Sequence, residues 1–382
     1  MTETTSSPPA VRADRRAVAL RLFSAFLAPI FFVIAFPLLF VGAIHKPTPH
    51  ELDVLIVGPT QVVSQITSKL DATTEFHATH TDVVSEARRQ VENRSVVGSL
   101  EIATSGSDPS DPTFTVTTYL AAAEGRSVSA TIQALGTQVA EDLGTTTKTV
   151  DVAPLDAEDP LGTTLFYLLT YTSLAAYLVI IVLTQVMPKA GLRVRYGAVG
   201  ITSFAAPLIV FGLSSIFVGD YGASFGTIAA LLGVNALYVF TVGALAILLA
   251  QFLGKLASVG VMGFIVLLNF PSSGGPTPAS MLPPFWQGMH QFYFGSGAYE
   301  AFRSIVYFDG NGAQRWLLQL LAWTVGLILI TTIVHLTQTI RRQRLEIAAS
   351  RTQNFSSLAQ EEAVHRHLAV ESPVTMTTEK AL

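Results

Sequence analysis

The sequence predicts an α-helical polytopic membrane protein. It has six transmembrane helices, a re-entrant helical hairpin before the last of them, and a small extracytoplasmic α/β domain between helices one and two. Three observations predict this. Half of the 382 residues are hydrophobic and only 13% are charged, where soluble domains carry roughly 25%. Several apolar stretches approach or exceed the roughly 20 residues that a helix needs to cross a bilayer. Basic residues flank those stretches, and they fall on one side.

The first stretch covers residues 17–44 and contains FLAPIFFVIAFPLLFVG. A cleaved signal peptide is the rival reading, since Arg15, Arg16 and Arg21 come early and Val41-Gly42-Ala43 resembles a cleavage site. A signal peptide's apolar core is about 7–15 residues. This one is much longer and holds Pro29 and Pro37, so it reads as a span. Further spans follow at residues 162–187, 196–218, 226–253, 256–270 and 316–340, the fifth being short.

Arg12, Arg15, Arg16 and Arg21 begin the series of basic flanks. Lys189, Arg193 and Arg195 lie between spans two and three, Lys255 between four and five, and Arg341, Arg342 and Arg344 after six. With six spans all these flanks share a side, which the positive-inside rule makes the cytoplasm. The expected location is the cell membrane, with both termini cytoplasmic: residues 1–16, and a tail over 341–382 that continues as a short helix and then disorders.

Residues 45–161 then lie outside. ELDVLIVG reads as a buried strand ending at Gly58, and Val62, Val63, Ile66 and Leu70 recur at helical spacing. A strand around Phe76 follows. Thr81 caps a helix with Val83, Val84, Ala87 and Val91 on one face. SVVGSLEI and FTVTTYL are strands, residues 127–143 form a second amphipathic helix on Val128, Ile132, Leu135 and Val139, and TKTVDV closes the domain. A small mixed sheet with packed helices accounts for this alternation; GSDPSDP, residues 106–112, is a loop. His77 and His80 point to opposite faces of a strand and read as surface histidines. Asn93-Arg94-Ser95 matches a glycosylation acceptor, a pattern that recurs by chance.

Spans two to six carry no Asp, Glu, Lys or Arg by these boundaries, and His335 is their only ionisable group. Ion-coupled transporters keep acidic residues in the bilayer, and many channels use charged rings, so neither class is favoured. No GxxxxGK[ST], HExxH or GxSxG motif occurs, and cysteine is absent. The chain is therefore expected to be no enzyme, to hold no cofactor or metal, and, at a net charge of -4, to bind no nucleic acid.

After the short fifth span comes a segment broken by Pro271, Ser272, Ser273, Gly274 and Gly275, then by Pro276, Pro278, Pro283 and Pro284. Two aromatic-rich runs follow, residues 285–294 and 298–308, carrying Trp286, His290, Tyr299, Glu300 and Arg303. Irregular backbone at membrane depth is tolerated where protein covers it. The prediction is a hairpin that re-enters from the outer face (residues 271–310) and ends at Asp309-Gly310. The alternative is two helices lying flat at the interface. Glu300 and Arg303, three apart, pair on one helix face. Pro188, Lys189, Gly191, Arg193 and Arg195, in PKAGLRVRYG, suit either a docking loop for a cytoplasmic partner or a plain positive-inside anchor.

One span, an external domain, then five spans with a break before the last resembles the ABC type-2 exporter permeases, most closely their YhgE/Pip-like actinobacterial branch. The resemblance is carried by VDVAPLDAEDPLGTTLFYLLTY (150–171), FLGKLASVGVMGFIVLLNFPSSGG (252–275) and MLPPFWQGMHQFYFGSGAYEAFRSIVYFDG (281–310). His290-Gln291-Phe292 stands where such proteins often have a His-Pro pair. The resemblance implies a homodimer in the lipid bilayer, with a separate cytoplasmic ATPase subunit docked on the inner loops. It also implies export of a hydrophobic, drug-like or lipid-like substrate. Some members of that branch serve instead as phage receptors or secretion accessories, which gives the second expectation: a non-transporting envelope protein presenting its external domain.

Overall fold

The computed structural model describes residues 26–27, 29–105 and 113–370. The basic residues Arg12, Arg15, Arg16 and Arg21, the loop 106–112 and the end of the tail lie outside the described residues. The chain divides into two compact units, Met1–Ile328 and Leu329–Leu382.

The α/β part of the first unit holds β1 (Leu52–Val57), α2 (Thr60–Asp71), β2 (Phe76–Thr81), α3 (Val84–Glu92), β3 (Gly98–Ser105), β4 (Thr113–Leu120), α4 (Arg126–Asp142) and β5 (Thr147–Asp151). The strand order is β2-β1-β3-β4-β5. β1 lies parallel to both β2 and β3, with Val54 level with Ala78 and Gly98. β4 runs antiparallel to β3 and parallel to β5. The continuous apolar run of β1 suits this place: all but Asp53 is buried, as expected of a strand with parallel neighbours and covered faces.

The core joins Leu52, Val54 and Ile56 to Leu100, Ile102 and Val116, and then to Val128, Ile132, Leu135 and Val139 of α4. These four are the predicted face of that helix. In α3 the prediction was half right. Ala87 and Val91 are buried, but Val83 and Val84 are exposed, and Thr81 reaches only the Val83 amide instead of capping the helix.

The helical part begins with α1 (Pro29–Ile44). Among the described residues, four helices are long and apolar enough to cross a membrane: α5 (Thr164–Val186), α6 (Leu192–Val218), α7 (Phe225–Leu253), and the first stretch, Ala313–Arg351, of α11 (Ala313–Val370). α1 and α8 (Ala257–Ser273) are apolar but shorter among the described residues. Then come α9 (Pro284–Phe292) and α10 (Phe294–Tyr307). α5, α6 and α7 pack on one another, and α10 packs on α7 and α5. Ile201, Phe204, Leu208, Ile216 and Phe217 of α6 point outward, the apolar exposure that lipid contact makes favourable.

Three boundaries differ from the sequence reading. α6 starts four residues before the predicted 196, so Arg193 and Arg195 belong to its first turn and not to a loop. Pro271, Ser272 and Ser273 do not break the chain either: they form the last turn of α8. The reversal is made by Gly274 and Gly275, at φ 78° and 53°, where only glycine is unstrained. Finally, α11 is helical to Val370, where a short helix followed by disorder was expected.

Candidate functional site

The predicted site residues separate into two places. Pro188 and Lys189 form an exposed turn, with Gly191 as the exposed N-cap of α6. Arg193 is exposed and Arg195 is buried. His335 is exposed, and His77 is exposed and paired with Asp53.

The other residues converge. Trp286, His290, Tyr299, Glu300 and Arg303 are all buried, together with every other residue of α10 from Phe294 to Ser304. Close packing makes this enclosure possible. A side chain at Gly295 would overlap the Asn269 amide, and one at Gly297 would come within 3.0 Å of the Trp316 carbonyl oxygen. The Ser272 carbonyl, freed at the end of α8, accepts from His290 Nδ1 at 2.8 Å and from Ser296 Oγ at 3.0 Å. The Arg303 Nη2 donates to the Gly275 carbonyl at 3.3 Å. So the chain's reversal is held by the helices that follow it.

Onto this assembly the α/β domain sends two charged side chains. Arg94 follows the end of α3 with φ 59°, a left-handed conformation that is costly for a side chain other than glycine. Glu124 sits on the short 3-10 turn after β4. Arg94 grips Glu124 through two bonds, Nε–Oε1 at 2.5 Å and Nη2–Oε2 at 3.1 Å. It also donates to Glu300 Oε2 at 2.6 Å and Ser304 Oγ at 2.6 Å. Arg303 closes the ring, 3.1 Å from Glu300 and 3.6 Å from Glu124. The four side chains are 4–12% exposed.

Two guanidinium cations meet two carboxylates, so the cluster has no net charge, the condition under which buried ions are tolerable. Burial opposes ionisation of Glu300, but Arg303, Arg94 and His290 outweigh it and pull its carboxyl down to about 2. Burial likewise opposes the charged form of Arg94, and Glu124 and Glu300 reverse that to hold it protonated. His290 Nε2 lies 3.6 Å from Glu300. Burial still keeps the imidazole below its ordinary value, ahead of the attraction to Glu300. Each guanidinium also stacks on a ring, Arg94 on Phe308 at 5.0 Å and Arg303 on Tyr299 at 4.8 Å.

Apolar and backbone contacts reinforce the junction. Met281, from the segment between α8 and α9, is buried within the core of the α/β domain. The amides of Thr48 and His50 donate to the carbonyls of Met281 and Ser280. A side chain at Gly125 would sit 2.5 Å from Pro278. Beside the ionic ring lies a cavity of about 310 Å³ lined by Asp53, Gln287, His290, Gln291 and Trp316 together with the ring itself. The ring is charge-neutral and its atoms are mutually satisfied, so its chemistry is that of a clamp. No group of three metal-ligating side chains occurs among the described residues.

No family model, curated protein or solved structure matches the chain.

Sequence reasoning found the Glu300–Arg303 pair from its spacing but missed Arg94 and Glu124. Arg94 was visible only as the middle of a chance Asn-Arg-Ser match, and Glu124 as one acid after a strand. Neither has a local pattern that distinguishes it, because the partners are 206 and 30 residues away.

Proposed function

We propose that the chain is the permease subunit of an ABC type-2 exporter, moving a hydrophobic, drug-like or lipid-like substrate across the cell membrane with energy from a separate cytoplasmic ATPase. In this reading there are six spans, α1 and α8 among them. The segment α9–α10 is the outer-facing re-entrant hairpin, both termini are cytoplasmic, and two copies form the transport unit. One observation supports the reading: α10 is buried, packs on α5 and α7, and is ion-paired through Glu300 to Arg94 of the α/β domain. Such a clamp makes the hairpin and the external domain one body, so a change in the spans reaches the outside without a charged relay across the bilayer. The absence of nucleotide-binding motifs then calls for a partner that hydrolyses ATP.

The second reading is a non-transporting envelope protein that presents its external domain. The same clamp favours it in one respect, since it holds that domain in a fixed attitude to the membrane.

Purification of the tagged chain in mild detergent, with mass spectrometry of what accompanies it, separates the two. An ATPase recovered in equal amount, and lost on changing exposed Lys189 and Arg193 to Gln, is the expected result. Recovery of envelope or secretion proteins without any ATPase would reject the permease in favour of the second reading.

A further inference from the structure

Arg195 is an anomaly of charge. It is 8% exposed, yet no carboxylate lies within ion-pair distance of it among the described residues. Its Nε donates to the Ala190 carbonyl at 3.2 Å and its Nη1 reaches the Thr184 hydroxyl at 3.4 Å. Nη2 has no protein partner among the described residues and is not sealed from solvent, so it is open to a ligand. A buried cation is normally paired or hydrogen-bonded on every donor.

Its place makes the imbalance worse. Arg195 is the fourth residue of α6, and no side chain caps that helix at Gly191. The amino end of a helix is itself a positive pole, which repels a cation and attracts an anion. Two positive sources therefore coincide in space.

Both meet at a cavity of about 500 Å³ between the ends of α5, α6, α7 and α8. Arg195 is its one charged side chain among the described residues, with Thr184, Gln185 and Ser258 as its other polar lining, Gln185 and Ser258 at exposed positions; Ile181, Pro188 and Ala250 wall it with apolar surface. Cation and apolar wall together fit an amphiphile with an anionic head. A hydrophilic anion would leave the wall unused, and a neutral amphiphile would leave the guanidinium unpaired. The cavity opens at the ends of bilayer-length helices, where headgroups reside, and basic pockets between such helices bind anionic headgroups.

We propose that this cavity binds one anionic phospholipid per chain, its phosphate on the Arg195 guanidinium and α6 amino end, and its acyl chain against α5 and α7. The site is independent of the exporter reading and requires only that the helices be in a membrane.

The test uses the full chain in detergent. It is titrated separately with phosphatidylglycerol, phosphatidylcholine and inorganic phosphate, with bound lipid counted by native mass spectrometry and thermal midpoints recorded. The wild type is expected to take up one phosphatidylglycerol at a concentration about tenfold below that for phosphatidylcholine, one charge-assisted contact's worth of preference. Arg195→Gln abolishes the preference, whereas Lys189→Gln, at the neighbouring exposed turn, keeps it. Ser258→Trp blocks the cavity from its exposed wall and leaves Arg195 and its bonds intact, so it tests the site even if Arg195→Gln does not fold. It too is expected to lose the bound lipid. Equal uptake of the two lipids by the wild type overturns the proposal. So does a preference that survives both substitutions, or an equal thermal shift from inorganic phosphate alone, which would mark a site for a free anion.

Discussion

Arg94 illustrates how one side chain decides the meaning of several others. Its guanidinium satisfies the Glu124 carboxylate through two bonds and the Glu300 carboxylate through one. Arg94→Ala leaves two buried carboxylates with Arg303 as their one guanidinium partner. Removing one partner of a buried pair costs about 3–5 kcal/mol, and chemical unfolding of the detergent-solubilised chain is expected to show a loss of that size. A loss below about 0.5 kcal/mol, typical of a surface change, would mean the ring is not a clamp.

Glu300 gives the ring a pH signature. Its carboxyl is held below the ordinary value of 4.5, at about 2. The stabilisation it supplies is therefore complete above pH 4.5 and is lost as the pH falls towards 2, because the unfolded chain takes up the proton first. Glu300→Gln is expected to flatten the unfolding midpoint across that window, and an unchanged acid slope would contradict the assignment. His290 acts at higher pH. Its depressed value means that the unfolded chain protonates first below the ordinary 6.5, so His290 makes the fold progressively less stable as the pH drops beneath it.

At the scale of elements, the junction depends on where the backbone turns. Gly274 and Gly275 reverse the chain after α8, and Gly125 lets the α/β domain approach Pro278 at a φ of 131°. Gly125→Ala adds strain and a clash, with an expected cost of about 1–3 kcal/mol. The effect is local, so limited proteolysis should cut the 276–283 segment sooner while β1 amides stay protected from hydrogen exchange. Early loss of β1 protection would instead place Gly125 in the domain's own stability. The break was legible as a Gly- and Pro-rich stretch that includes Gly274 and Gly275, but its onset was read three residues too early, at Pro271. Proline is tolerated in the first turn of a helix, and Pro271 sits at the start of a short α-helical turn after a π-helical run, Met262–Asn269.

For the whole molecule, the α/β domain is incomplete without the segment that follows α8. Met281 belongs to its core, and Arg94 and Glu124 find their partners on α10. Residues 45–161 produced alone are expected to exchange β1 and β3 amides faster than in the full chain. Loss of a buried Met side chain alone costs about 2–5 kcal/mol. Equal protection in the fragment and the full chain would show that the domain is self-sufficient and the junction merely adhesive.

The sequence by itself determined the bilayer-length helices and the order of strands and helices in the α/β domain. Both are written in local pattern: runs of apolar residues for α5, α6 and α7, and alternation or helical spacing in β4 and α4. It also determined the Glu300–Arg303 pair, since residues three apart on a helix are neighbours whatever else the chain does. The tertiary structure alone decided that Arg94 and Glu124 complete that pair, that Met281 enters a distant core, and that Arg195 is buried with no counter-ion among the described residues. These are contacts between segments far apart in the chain. No periodicity encodes them, because the side chains are brought together only when the elements pack.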